Sequence, residues 1–316
     1  MLAQSDVLSG ILGPLRGFLN DSMVQEIMVI KFNHIFIEKM GQVIKATESF
    51  DSENHLKSVI DQIVSHGNRR VDIAAPFCDT RLPDGSRVHI VLPPVAIDGP
   101  ILTIRKFTQN FHSLNDLVYV KSISPEHTVL LENVIHNRSN ILICGNTGSG
   151  KTTLMNVISQ LVNEDERILT LEDTAELNIQ KPHVVRMETR LKNTEGQGEI
   201  SMKDLVINCL RMRPDRILMG ECRGEEVLPL IQAMNTGHKG SMTTLHANSA
   251  QEALYRLEVL LSMASPKWPI SVVRQQIISA FDVVIYMERV GGIRKLKEIA
   301  DVDKETLNFK VISRLN

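Results

Sequence analysis

Residues 145–152 read Gly-Asn-Thr-Gly-Ser-Gly-Lys-Thr and satisfy the spacing G-x-x-x-x-G-K-[ST] at every fixed position. Glycines at 145, 148 and 150 let successive backbone N–H groups curl around an anion, and a helix starting at the lysine would turn its positive end onto the same charge. Gly145, Asn146, Thr147, Gly148, Ser149, Gly150, Lys151, Thr152 and Thr153 therefore form a candidate nucleoside-triphosphate site. The Lys151 ammonium would reach the β and γ phosphates, and the Thr152 hydroxyl would take one Mg²⁺ position. Hydrolysis needs two further groups, a carboxylate for the metal and a base for the attacking water. Glu172, in Leu-Glu-Asp at 171–173, and Glu221, in Leu-Met-Gly-Glu at 218–221, each end an apolar run, where such carboxylates belong.

These residues need a scaffold. Asn140 to Cys144 is a short apolar run, and Thr153 to Val162 carries apolar residues at helical spacing, so the loop has the strand-loop-helix context it requires. Further strands are expected at Arg167–Leu171, Val184–Val185, Arg216–Met219 and Ser241–Leu245. Helices opening at Ser201 and Ser249, and over Gly224–Met234, would connect them. Alternation of this kind predicts a parallel α/β sheet whose carboxyl edge carries the site. Val283–Met287 and Ile293–Ile299, around Gly291-Gly292, read as an edge hairpin.

Upstream the pattern changes. Glu26–Ile30, Ile35–Ile37 and Val43–Ile44 read as an antiparallel meander, and a helix opens at Ser52 and stops at Gly67. Asp84-Gly85 is a hairpin turn before Val88–Leu92, and Ile101–Ile104 is one more strand. The expected organisation is an α+β domain over 1–107, a linker with a connecting helix over 108–138 opened by Ser124-Pro125-Glu126, and an α/β domain over 139–316.

Bulk properties narrow the class. A chain of 316 residues with 43% hydrophobic and 23% charged residues is an ordinary globular protein with room for two domains. A formal net charge of −2 supplies no basic field for nucleic acid. Cys78, Cys144, Cys209 and Cys222 stand far apart, which predicts reduced thiols and no zinc, with Cys144 a small buried hydrophobe. Neither a membrane-spanning run nor a cleavable leader is read, so the expected place is the cytoplasm, with any membrane role by recruitment.

Leu210 to Gly224 (LRMRPDRILMGECRG), followed by Ala233 to Asn248 (AMNTGHKGSMTTLHAN), strongly resembles the type II/IV secretion and pilus-assembly ATPases. The likeness extends to Glu172–Glu176, Arg81–Arg87 and Leu102–Phe107, and is nearest to the CpaF-like ATPases of tight-adherence pili. It implies a RecA-like P-loop ATPase domain with a smaller α+β amino-terminal domain, six subunits to a ring, and ATP with Mg²⁺ hydrolysed at the seam between domains. By that resemblance Glu221 is the Walker B acid, Glu172 orients or deprotonates water, and His246 senses nucleotide state, with support from His238. Arg81, Arg87 and Arg105 match nucleotide-facing segments, and Arg186, Arg190, Arg211 and Arg213 are further phosphate candidates; Arg105 is preferred. The implied partner is an inner-membrane platform of a pilus or secretion system. A nucleic-acid-dependent RecA-like ATPase, a helicase or DNA-transport factor, is the alternative; it lacks an aromatic-basic stacking run.

Overall fold

The computed structural model describes residues 12–39, 41–67, 69–106, 111–190, 192 and 197–314. Its chain divides into two compact units, Met1–Asn110 and Phe111–Asn316. The boundary expected near Phe107 and Thr108 lies outside the described residues.

The first unit holds α1 (Leu15–Asn20), β1 (Val24–Lys31), β2 (His34–Lys39), β3 (Gln42–Lys45), α2 (Glu53–His66), β4 (Phe77–Arg81), β5 (Arg87–Val91) and β6 (Ile101–Arg105). The six strands form one antiparallel sheet in the order β3-β2-β1-β6-β5-β4. Alternate residues Ile27, Val29, Val88, Ile90, Leu102 and Ile104 are buried with Leu56, Val59, Ile60 and Ile63 of α2, so one face of the sheet makes the core. The α2 start is the expected one, with Ser52 Oγ accepting from the His55 amide at 3.1 Å. The period of two fixes a second consequence on the other face. Arg81 stands opposite Arg87, Arg87 opposite Arg105, and Arg105 opposite Glu26, so three arginines on three strands share one row.

The second unit begins with α3 (Leu114–Tyr119) and α4 (Pro125–His136), then runs β7 (Ile141–Gly145), α5 (Lys151–Ser159), β8 (Ile168–Glu172), β9 (Val184–Glu188) and α6 (Met202–Cys209). It continues through β10 (Arg216–Met219), α7 (Val227–Asn235), β11 (Met242–Leu245), α8 (Ala250–Ala264), α9 (Ile270–Ala280), β12 (Val283–Val290), β13 (Ile293–Asp303) and β14 (Asn308–Arg314). The sheet order is β14-β13-β12-β7-β11-β10-β8-β9, parallel from β12 to β9. Two cores take alternate residues of the same strands. Leu142, Cys144, Ile217 and Met219 pack with α6 to α9, and Ile141, Ile143, Leu218 and Met242 pack with α3 to α5. The residues read as linker and connecting helix thus supply Leu114, Leu117, Leu131 and Ile135 to a core of this unit.

The segment Val283–Met287 is no edge: β12 lies between β7 and β13, and its five leading residues are all buried. An apolar run without alternation is what a strand covered on both faces requires, and the Gly-Gly turn alone had suggested a rim hairpin. Helix α9 was not anticipated, nor was β14, which forms the actual edge. The four cysteines are free thiols and Cys144 is buried, as expected; Cys78, Cys209 and Cys222 are buried too, and burial pushes the Cys144 thiol far above its ordinary range.

Candidate functional site

Sheet topology collects the candidate groups. Strands β7, β11, β10 and β8 are neighbours and parallel, so their carboxyl ends, at Gly145, Leu245, Met219 and Glu172, share one edge. The ends are cross-tied: the Gly220 amide donates to Leu171 O at 2.8 Å, Thr244 Oγ1 donates to Gly220 O at 2.6 Å, and the Cys222 amide donates to Thr244 O at 2.9 Å.

At β7 the chain turns through the phosphate loop. A Cβ at Gly145 would lie 2.2 Å from Met287 O, so no side chain fits there. Gly150, the residue before α5, has φ +97°, in the left-handed region that only glycine adopts without strain. The Lys151 side chain is buried and curls back, its Nζ donating to Gly145 O at 2.8 Å and Asn146 O at 3.0 Å. The buried Ser149 Oγ has no hydrogen-bond partner. An ammonium resting on carbonyls and a buried hydroxyl without a hydrogen-bond partner are donors that a polyphosphate would satisfy, in a loop that only glycine can build at 145 and 150, so the residues fit that ligand. Thr152 and Thr153 are half-buried in the first turn of α5.

Glu172 closes β8 and is 2% exposed. Its Oε1 accepts from the Glu176 and Leu177 amides, both at 2.8 Å, while buried Oε2 has no hydrogen-bond partner. Burial raises its pKa above the ordinary carboxylate range, against the two amides and the charge of Arg186. Glu221 behaves in the opposite way. Burial pushes it up, but the hydrogen bond and charge of Arg223, then His246 and Lys151, outweigh that and hold it low. Its Oε2 accepts from Arg223 Nη2 at 2.6 Å. Oε1 lies 2.9 Å from His246 Nε2, close but not aligned as a hydrogen bond. Burial and the Lys151 charge lower the His246 pKa, which leaves its imidazole neutral at neutral pH. Two carboxylates at one edge thus have their pKa values pushed apart.

Other candidates separate from this cluster. His238 precedes β11, whereas His246 follows it, so the four residues of the strand put them at opposite edges of the sheet. His238 Nδ1 meets Ala233 O at 3.0 Å, and the residue cannot support His246. Arg211 and Arg213 lie before β10, also at the far edge. Arg190 Nε donates to Gly198 O at 2.5 Å. Arg223 was passed over, although it stands two residues after Glu221 and grips it.

Residues 11–297 match the family described as Type II/IV secretion system protein. The conjugal transfer protein TrbB of Rhizobium radiobacter is 34% identical over 289 residues, covering 90% of this chain and 85% of that protein. The type IV secretion system protein VirB11 of Bartonella henselae is 30% identical over 324 residues, with 91% of each chain covered. Among solved structures, the VirB11 ATPase of the Brucella suis type IV secretion system, in complex with sulphate, aligns at TM-score 0.52 with 26% identity, covering 96% of this chain and 97% of that one. Family match, parallel sheet and phosphate loop agree: this chain belongs to the type II/IV secretion ATPase family.

Proposed function

We propose that the protein hydrolyses ATP as a six-subunit motor of a pilus or secretion machine, recruited to an inner-membrane platform. One observation supports this most: a complete phosphate loop shares its sheet edge with Glu172, Glu221 and His246. No described helix is long and apolar enough to cross a membrane, which suits recruitment by partners.

In this reading the loop amides and Lys151 bind the phosphates, the ammonium leaving two carbonyls for phosphate oxygens. Thr152 and the ionised Glu221 are oxygen donors of the kind Mg²⁺ prefers, and bound Mg²⁺ would neutralise charge developing on the phosphates. Arg223 holds Glu221 in place. Glu172 Oε2 takes the proton of the attacking water, while its Oε1, fixed by two amides, orients the carboxylate. ATPase rate with and without single-stranded DNA, together with the assembly mass, tests the whole. Hydrolysis independent of DNA and a mass of about six chains are expected; turnover that requires DNA would replace this reading with a nucleic-acid-dependent ATPase.

The arginine row of the first unit gives Arg81 and Arg105 a shared placement that suits a bidentate phosphate contact. Arg105, exposed at the end of β6, is proposed to answer to the γ phosphate. Arg105→Ala should lower turnover about tenfold or more, the worth of one charge-assisted contact, with ADP affinity retained. An unchanged rate at saturating ATP would leave the residue a structural role.

A further inference from the structure

Strand register brings two unassigned cations to the phosphate loop. In the β7–β12 pairing Met287 stands opposite Gly145, so the continuation of β12 runs alongside the loop that follows Gly145. Arg289 is two residues further on, and across the hairpin it faces Arg294 of β13 directly. The turn between them is Gly291-Gly292, with φ +58° and +86°, the two-residue turn that holds a register firmly. The stem of Arg294 reaches the loop itself. A Cβ on Gly150 would lie 3.2 Å from Arg294 Cδ and 3.4 Å from its Cβ, and one on Gly148 would lie 3.9 Å from Arg289 Nη1.

Gly148 and Gly150 are loop positions whose neighbouring amides would curl around a bound anion. The stem of Arg294 fills the space that a side chain at Gly150 would take, beside the residue before Lys151, which puts its guanidinium within a side chain's reach of oxygens bound at those amides. Arginine, planar and permanently charged, suits two phosphate oxygens at once.

We propose that the β12–β13 hairpin is a cationic wall of the nucleotide site, with Arg294, assisted by Arg289, binding the diphosphate portion common to ADP and ATP. The inference rests on the ATP-site reading above. It assigns Arg294 to affinity and leaves the γ-phosphate chemistry to the groups at the strand ends. The hairpin belongs to the same unit as the loop, so this contact is available within one chain.

Calorimetric titration of the full-length protein with ADP and with a non-hydrolysable ATP analogue tests this. Arg294→Ala should weaken both by a similar factor, about tenfold to a hundredfold for a charge-assisted pair of bonds, and raise KM with kcat within about threefold. Arg294→Lys, which keeps charge but loses the fork, should recover part of the affinity, and the dependence of affinity on salt should be shallower in Arg294→Ala than in the wild type. Unchanged ADP affinity in a folded Arg294→Ala protein would overturn the assignment, as would a loss confined to the ATP analogue. Wild-type protein that binds neither nucleotide would overturn the ATP-site reading itself, a distinct result.

Discussion

Lys151→Ala is expected to abolish ATP turnover, by about a thousandfold or more, while the protein stays folded. The size follows from what the ammonium does when phosphates are present: it is a preorganised positive charge in a buried site, and a contact of that kind is worth several kcal/mol in the transition state. Folding should tolerate the loss. In the structure the ammonium bonds two carbonyls of its own loop, and each such bond contributes about 1 kcal/mol net. The substitution also has a signature independent of catalysis. The Lys151 charge presses the His246 pKa down and helps hold Glu221 low. Removing it should move both groups upward, which an NMR titration of the His246 ring would record. Near wild-type hydrolysis by a folded Lys151→Ala protein would sink the assignment of this loop.

Particular residues show how far the amino-acid sequence alone could go. The phosphate loop, the capped helices at Ser52, Ser124 and Ser201, and the strands ending near Glu172 and Glu221 were legible because each depends on local chemistry: a fixed spacing, a side chain that caps nearby amides, a short apolar run. The helix expected to open at Ser201 is capped by a reciprocal pair, Ser201 and Asp204. What depended on pairing was not legible. The unbroken apolar run Val283–Met287 speaks for a strand covered on both faces but not for β7 as its neighbour, and only that neighbour puts Arg289 and Arg294 at the loop. The same holds for Arg105: the Asp84-Gly85 turn pairs Arg81 with Arg87, but only the antiparallel register of β5 and β6 adds Arg105 to their row. His238 and His246 illustrate the converse: eight positions apart in sequence, they are divided by a strand.

Glu172→Gln should separate proton transfer from binding. The amide oxygen of glutamine can still accept from the Glu176 and Leu177 N–H groups, so the side chain should keep its position, but the base is gone. Mg-ATP should bind about as well as to the wild type, with hydrolysis lower by about a hundredfold to ten-thousandfold, the usual worth of a positioned base. Glu221→Gln should differ: weakening an oxygen donor and freeing Arg223 should shift the Mg²⁺ dependence as well. Identical Mg²⁺ titrations for the two variants would refute this division of roles. Stability gives an independent reading. Burial raises the folded pKa of Glu172 above its ordinary value of 4.5, so ionising it costs more in the folded protein than in the unfolded chain. The stability it contributes is therefore fully present below about pH 4.5 and is lost as pH rises through the folded value. Glutamine removes that ionisation. The Glu172→Gln protein should match the wild type in acid and unfold at higher temperature than the wild type at neutral pH, a difference that widens as pH rises through the folded pKa and then levels off. In the wild type the acid limb of kcat/KM should follow the same group and lie above the usual carboxylate range. A wild-type acid limb at or below pH 4.5, or a variant less stable than the wild type at neutral pH, would mean that Glu172 is held ionised and acts through its amide contacts alone.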